Sequence, residues 1–163
     1  MNGLKSQKKL EAGGLLYKNH LAMIGLMGIL SRPGVGGDFF TKLGKAGVIV
    51  ELIINVSDFK KSDYIVICVD RHQLDTVLEI SQQIKDTVNM ESIIYDENVA
   101  LVSIFSPDIK ESQKLAGHMF KTLGDTNINI HGISKSFSTI TCLIESKDLE
   151  IALFALRNTF LLP

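Results

Sequence analysis

The residue types that most often perform catalysis or bind metal ions are present in this chain, but their spacing forms none of the common motifs. No histidine belongs to an HxH or HxxxH pattern, and none has a cysteine or carboxylate at ligand spacing on one helical face. Asp70 and Asp108 have the positions of helix-start residues rather than of a general acid/base pair. There is neither a GxSxG nucleophile elbow nor a Walker-type phosphate loop. We therefore predict no catalytic residues and no metal ligands. In particular, none of the four histidines is expected to bind a metal ion: His20, His72, His118 and His131.

The glycine-rich segment 34–37 is the strongest candidate for chemistry. It follows a predicted strand and precedes a predicted helix, so its backbone N–H groups can face an anion. It lacks the GxGxxG spacing and the downstream acidic residue of a dinucleotide site. Three interpretations remain: a phosphate cradle, a tight loop with no ligand, or a loop that offers N–H groups to the carboxylate of a free amino acid.

Composition excludes several function classes. The chain has 163 residues, 17 Lys+Arg against 18 Asp+Glu, and a net charge of −1, so it lacks the basic surface that nucleic-acid binding requires. Its predicted strands also lack the aromatic residues of RNA-recognition modules, apart from Tyr64. The apolar run 21–30 is too short to span a bilayer. We predict no nucleic-acid partner, no membrane segment and a cytoplasmic location.

The two cysteines are predicted to be buried, reduced thiols. Cys68 and Cys142 each lie inside an apolar, β-like run, and neither has a second cysteine nearby in the sequence. Paired-cysteine zinc sites need that second ligand. A free cysteine in such surroundings behaves as a small apolar residue.

The elements that must position the glycine-rich segment follow from the apolar pattern. Strands are predicted over 21–26, 48–54, 64–69 and 92–95. A first helix is predicted to begin near Pro33 and to end at Gly47, and a second begins with a capping box at Asp70 and Gln73. The predicted order is β-α-β-β-α-β.

The same order begins again in the second half. Strands are predicted over 99–105, 128–133 and 139–144, with helices after the Ser106-Pro107 pair and after Ser146. A shift of 80 places the first helix on the third, and a shift of 75 places the second on the fourth. Examples are Phe40 on Phe120, Leu43 on Leu123 and Leu74 on Leu149.

The second copy lacks a fourth strand of its own. A vacant sheet edge favours pairing with another strand. We therefore predict that the N-terminal segment 9–17 supplies it. The predicted domains are 18–97 and 98–163, the second completed by residues 9–17.

This order and several motifs resemble a tandem ACT domain, and in particular the regulatory C-terminal half of aspartokinase or its separate small regulatory subunit. The motifs are IGLMGILSRPGV at 24–35, FTKLGKAGV at 40–48, VELII at 50–54, YDENVALVS at 95–103 and NINIHGISKS at 127–136. The resemblance covers about nine-tenths of the chain. It implies an α+β fold of two ferredoxin-like (βαββαβ) ACT domains with antiparallel sheets, the second completed by an N-terminal strand.

The resemblance also implies amino-acid sensing without catalysis. In similar proteins lysine or threonine is the effector, and it binds where two ACT domains meet side by side. Carboxylates bind N–H donors, and ammonium groups bind carboxylates or carbonyls. The implied first-copy loop is Met27, Gly28, Ile29, Leu30, Ser31, Arg32, Pro33, Gly34 and Val35. The implied remaining site residues are Glu51, Asn55, Asn127, Asn129 and Ile130.

Some positions depart from the family pattern. Ser31 stands where the family often has Asp, and Asn55 where it often has Gln. The second copy lacks the Pro-Gly pair, so only the first-copy loop is expected to bind a ligand.

The implied partners are a second copy, through the ACT sheets, and a kinase catalytic domain or subunit, with no cofactor besides the effector. Two alternatives remain: a C-terminal fragment of a full aspartokinase, or a stand-alone ACT regulator of another amino-acid-pathway protein. The Lys-Phe-Gly-Gly-Thr stretch of the kinase domain does not occur in these residues.

Overall fold

The computed structural model describes residues 9–106 and 112–163, which divide into two compact units. One unit is Lys18–Ala100, and the other combines the N-terminal segment that ends at Tyr17 with Leu101–Pro163. In chain order the elements are β1 (Leu10–Glu11), β2 (Gly14–Leu30), α1 (Val35–Lys45), β3 (Val50–Ser57), β4 (Ser62–Asp70), α2 (Leu74–Lys85), β5 (Met90–Phe105), α3 (Ser112–Asp125), β6 (Gly132–Lys135), β7 (Thr139–Glu145), α4 (Leu149–Thr159) and β8 (Phe160–Leu161).

The unit of residues 18–100 is a four-stranded sheet with two helices. Its strand order is β3-β4-β2-β5, and β4 is antiparallel to both β2 and β3. The apolar faces of α1 and α2 pack with the sheet in one hydrophobic cluster. Phe39 of α1, Ile67 of β4 and Val77 of α2 are fully buried in it. This is the ferredoxin-like arrangement that the sequence predicts.

Strand β2 is longer than the predicted strand over 21–26. It continues to Leu30, so residues 27–30, which the sequence analysis assigns to a loop, belong to the strand. Ile29 and Leu30 pair with Asp63 and Ser62 of β4 after one register shift. The loop prediction was wrong because the residues from Met27 to Leu30 remain apolar and β4 extends far enough to pair with them.

Two other predicted boundaries were wrong. The strands predicted over 92–95 and 99–105 are one strand, β5, because the polar residues between them occupy strand positions without ending the strand. The strand predicted over 64–69 begins earlier, at Ser62, so the turn before it spans 58–61. There Asp58 accepts hydrogen bonds from the N–H groups of Lys60 (2.7 Å) and Ser62 (2.9 Å), and Lys61 has φ +68°.

The helix starts also differ in detail. Helix α1 begins at Val35, with Gly34 as its N-cap, so Pro33 precedes the helix instead of lying in its first turn. Asp70 accepts the N–H of His72 (3.0 Å) and caps a short 3-10 turn before α2. Gln73 does not bond back to Asp70, because its amide bonds to the backbone that follows α1, at Gly47 and Ile49. The helix start predicted at Pro107 lies outside the described residues.

The other unit completes its sheet with the N-terminal segment. Its strand order is β2-β5-β7-β6, in which β2 contributes residues 14–17. Strand β1 is parallel to β8, and the N–H groups of Ala12 and Gly13 donate to Leu161 O (2.9 Å) and Phe105 O (2.8 Å). The predicted fold class is therefore confirmed, including the N-terminal strand of the second repeat.

The two repeats end their first helices in the same way. The N–H of Val48 donates to Leu43 O (3.0 Å), and the N–H of Ile128 donates to Leu123 O (2.9 Å). Gly47 and Asn127, which are 80 residues apart, both have left-handed backbones, with φ +71° and +59°. This turn also corrects the strand predicted over 128–133, because the chain after α3 stays irregular until β6 begins.

Within residues 9–106 and 112–163, no helix is long and apolar enough to cross a membrane. The same residues contain no group of three or more histidine, cysteine or acidic side chains arranged to hold a metal ion.

Removing residues 1–17 is expected to destabilise the chain by about 2 kcal/mol or more, since two backbone hydrogen bonds and the β2–β5 pairing of this unit are lost. Urea denaturation followed by circular dichroism measures the change. A matched truncation of residues 1–8 leaves β1 and β2 intact and is expected to retain the urea midpoint. Equal midpoints for both truncations would contradict the structural role of the segment.

Candidate functional site

A bulge in β2 immediately precedes the glycine-rich loop. Leu26 pairs with Ile65 and Ile29 with Asp63, so β2 has one residue more than β4 between these pairs. Gly28 is buried in the bulge with φ +64°. A Cβ on Gly28 would overlap Cδ of Glu91. Glycine is therefore required here by its backbone conformation and by the close approach of Glu91.

The loop that follows is held at both sides by hydrogen bonds. The N–H of Ser31 donates to Lys61 O (2.8 Å), at the turn between β3 and β4. The Nη2 of Arg32 donates to Thr87 O (3.1 Å), just after α2. The N–H of Leu30 donates to Val88 O at 3.3 Å. These bonds fix the base of the loop, while Ser31 and Arg32 remain exposed.

The N-terminus of α1 supplies the free hydrogen-bond donors that follow the loop. Gly34 has φ +97°, no side chain caps the helix, and the N–H of Asp38 makes the first helical hydrogen bond, to Gly34 O (3.0 Å). The N–H groups of residues 35–37 therefore have no acceptor within the helix. There is open space where a Cβ would be at Gly34, Gly36 and Gly37. Such a terminus can donate hydrogen bonds to a carboxylate or a phosphate.

Glu51 lies far from this loop within the unit of residues 18–100. It precedes Leu52, which pairs with Cys68, and Cys68 pairs with Met23. Leu30 lies seven residues beyond Met23, or about 23 Å along the strand. The Glu51 carboxylate forms an ion pair with the Lys18 ammonium. The structure therefore separates Glu51 from the loop residues with which the resemblance groups it.

Asn55 lies closer to the loop, on the edge strand β3. It pairs with Ile65, which pairs with Leu26 at the start of the bulge. Its side chain is exposed. Asn55 is therefore level with the bulge but separated from it by strand β4.

The other three predicted site residues belong to the unit that contains Leu101–Pro163 and lie between α3 and β6. Asn127 ends α3 with its left-handed backbone, and its N–H donates to Gly124 O (2.9 Å). Asn129 is exposed and Ile130 half-buried. Both precede His131, whose N–H donates to Leu143 O (2.8 Å).

Two charged residues at these places were missed by the sequence analysis. Glu91 lies against the bulge, and Lys18 pairs with Glu51. The motifs contain no signal for Glu91, because its place opposite Gly28 depends on the β2–β5 register. Lys18 precedes the predicted strand, so only the true length of β2 reveals it.

Two carboxylates, Asp58 and Glu91, act on the phenol of Tyr64 near the bulge. Backbone hydrogen bonds, that from Ser62 first, lower the pKa of Asp58. The charge of Asp58, then desolvation and, more weakly, the charge of Glu91 raise the pKa of Tyr64, whose hydroxyl donates to Asp58 at 3.3 Å. Tyr64 therefore stays a neutral phenol near the bulge.

Neither cysteine is a nucleophile at neutral pH. Burial raises the pKa of Cys68 to about 12, with a smaller contribution from the charge of Glu51, and burial raises the pKa of Cys142 to about 12. Both are free and buried. The thiolate is the reactive form, so these thiols are packing residues.

The ACT domain family model matches residues 102–160, within the second repeat. The fold and the family model together identify this repeat as an ACT domain, and the first repeat has the same strand and helix order.

The particular relatives are aspartokinases. Over 148 residues, 90% of the chain, it is 31% identical to the aspartate kinase Ask_LysC of Stutzerimonas stutzeri. The regulatory subunit of aspartate kinase from Thermus thermophilus (ligand free form) superimposes with a TM-score of 0.84 at 25% identity, over 92% of this chain and 99% of that one. A structure of aspartokinase alpha and beta subunits gives a TM-score of 0.82 at 26% identity, over 91% and 97%.

These findings agree with the resemblance seen in the sequence: over about nine-tenths of its length the chain is similar to the regulatory region of aspartokinases, and its second repeat matches the ACT domain family. It covers 36% of the Stutzerimonas stutzeri enzyme, so it spans about a third of the length of such curated relatives.

Replacement of Gly28 by alanine is expected to cost about 1–2 kcal/mol of folding free energy, because alanine is strained at φ +64° and its Cβ must displace the Glu91 side chain. Gly36→Ala is the matched control, since it lies in α1 with open space around it and is expected to retain or raise stability. Thermal unfolding measures both. A Gly28→Ala midpoint equal to that of the wild type would contradict the close approach.

Both thiols are expected to resist a thiol reagent at pH 8 in the folded chain and to react in urea. Since the folded pKa of about 12 exceeds the ordinary value of 9.0, the unfolded chain loses these protons first as the pH rises. The thiol contribution to stability is thus complete below pH 9 and is lost between pH 9 and 12. Reagent titration and urea midpoints from pH 8 to 11 check both statements, and a Cys142→Ala variant is expected to show a smaller decline.

Proposed function

We propose that this chain is a non-catalytic regulatory module that binds a free amino acid, lysine or threonine, and so controls an aspartate kinase. The observation that carries the proposal is the uncapped N-terminus of α1 behind Gly34, at the end of a loop fixed by hydrogen bonds at its base. Such a site needs no cofactor, because backbone N–H groups supply the binding energy. Similarity to aspartokinase regulatory regions supports the effector class.

The α-carboxylate of the effector is proposed to bind the N–H groups of residues 35–37, and the segment 27–34 to form the wall. A phosphate is the weaker candidate for this terminus, because the only basic side chain of the loop, Arg32, donates to Thr87 O. Amino-acid binding also accounts for the small size of the loop, which offers space chiefly at its glycines.

A second copy is proposed to complete the site. Strand β3 is an edge strand, and its side chains Ile53 and Val56 are 49% and 56% exposed. Antiparallel pairing of two β3 strands about a twofold axis near Ile53 and Ile54 would place Glu51 of the second copy at the loop end of β3. Its carboxylate could then bind the effector's ammonium group once Lys18 releases it. Asn55, Asn127, Asn129 and Ile130 are proposed as further contacts.

The partner that receives the signal is proposed to be a kinase catalytic domain or subunit, and the location cytoplasmic. The first proposal is supported by the match to nearly the whole Thermus thermophilus regulatory subunit and to about a third of full-length aspartokinases. For a separate regulatory subunit the kinase would be a different chain, and for a full-length enzyme it would be a domain of the same chain. The effector site would be the same in both cases. Regulation requires the effector to bind one arrangement of the assembly more tightly than another.

Calorimetric titration with the twenty amino acids is expected to detect binding of lysine or threonine. Gly34→Val, which places a branched side chain at φ +97°, is expected to weaken that binding at least tenfold, since the first N–H groups of α1 are displaced. Gly44→Ala, in open space later in α1, is the control and is expected to bind as the wild type does.

An aspartate phosphorylation assay of the chain alone is expected to be negative, and its activity in that assay would disprove the non-catalytic assignment. If calorimetric titration detects no binding of any of the twenty amino acids, the sensing function is disproved.

A further inference from the structure

We propose that the groove between α1 and the end of α2 binds a small organic dianion, which is a phosphate monoester or a dicarboxylate with an apolar body. The groove has a volume of about 400 Å³, within the range of small-molecule sites. It shares no residue with the segment 27–37, to which the amino-acid effector is assigned above. The proposal therefore does not depend on amino-acid binding.

Helix α1 supplies two cations to this groove. Lys42 and Lys45 line it together with Asp38, so two ammonium groups face one carboxylate and the lining has a net charge of +1. Among the residues that the structure describes, neither ammonium group lies within 4.0 Å of a carboxylate, that of Asp38 included. Unpaired charges of one sign in a groove raise the local concentration of ligands of the opposite sign.

The rest of the lining combines hydrogen-bonding groups with an apolar floor. Thr41, Gln83 and Thr87 are exposed and carry hydroxyl or amide groups. Ile84 and Val88 are buried, with 4% and 3% of their surface exposed. Hydroxyl and amide groups can donate to the oxygens of a phosphate or a carboxylate, and the floor can contact hydrocarbon. An anion with an apolar body uses both kinds of lining.

The matching positions of the second repeat are joined to each other. The shifts of 80 and 75 residues place Lys42 on Thr122 and Ile84 on Thr159. The hydroxyls of these two threonines form a hydrogen bond of 3.1 Å, which links α3 to α4. The same fold can therefore bridge its two helices at this place with its own side chains.

The charge at the matching positions is also balanced within the second repeat. The shift of 80 places Thr41 on Lys121 and Lys45 on Asp125, and Lys121 Nζ lies 2.9 Å from Asp125 Oδ2. In the first repeat Lys45 has no such partner among the described residues. The first repeat thus keeps both its groove and its ammonium groups available to an external anion.

The test titrates the wild-type chain with phenyl phosphate and with phthalate, and follows its backbone amide resonances by NMR. Each probe presents a dianion on a benzene ring, and the ratio of their affinities identifies the preferred anion. We expect at least one of them to cause saturable shifts of residues 38–45 and 83–88. Inorganic phosphate, which lacks the ring, is expected to bind about tenfold more weakly.

A pair of double variants tests the role of the two lysines. Lys42→Gln with Lys45→Gln is expected to weaken binding of the preferred probe about tenfold or more, because both charge-assisted contacts are lost. Lys121→Gln with Lys147→Gln is the matched control, since it removes the same charge from two exposed, ion-paired lysines of the second repeat. The control is expected to bind as the wild type does, and equal thermal midpoints verify that both variants fold.

Three outcomes would overturn the groove site. They are the absence of saturable shifts, shifts confined to residues 35–37 at the start of α1, and equal weakening by both double variants, which would indicate attraction to net charge alone. Inorganic phosphate that binds as tightly as the ring compounds would overturn the organic ligand. None of these results bears on the proposed amino-acid sensing, which the calorimetric titration tests separately.

Discussion

The backbone hydrogen bonds of β5 are the constraint on which the rest of the fold depends. From Leu101 onwards this strand needs a partner on its open side, and only the two-residue strand β8 follows α4 among the described residues. An unpaired edge leaves a row of N–H and C=O groups without acceptors or donors. The start of β2 meets that need. Residues 14–17 belong to the unit that contains Leu101–Pro163, and the strand then continues into the unit of residues 18–100, so β2 reaches 17 residues.

The sequence predicts the architecture well where periodicity carries the information. The apolar stripes of α1 and α4, with Phe39 and Leu153 buried, follow from three- and four-residue spacing. The helix ends at Gly47 and Asn127 also match under the 80-residue shift, although one is a glycine and the other an asparagine, and of the two only the end at Gly47 was predicted. What these features share is that local residue type determines them.

Features that depend on strand register could not be predicted in the same way. The sequence around Gly28 does not indicate that Glu91 lies beside this glycine. The sequence around Glu51 likewise does not indicate that Lys18 forms an ion pair with its carboxylate. The ends of β2 and β5 likewise depend on how far a neighbouring strand extends. The candidate site combines both kinds of feature, so its loop was found from the glycines and its charges were not.

The continuity of β2 limits how the chain can vary in length. The strand contributes to both units, and His20, three residues after Tyr17, has φ +57°, with its N–H bonded to the Asn19 side chain (2.8 Å). Deleting one residue on either side of this point would turn the following side chains to the opposite face of the sheet, since strand side chains alternate. Insertions and deletions among homologous chains should therefore concentrate in the turn at 58–61, which the second repeat already shortens, and be rare within β2.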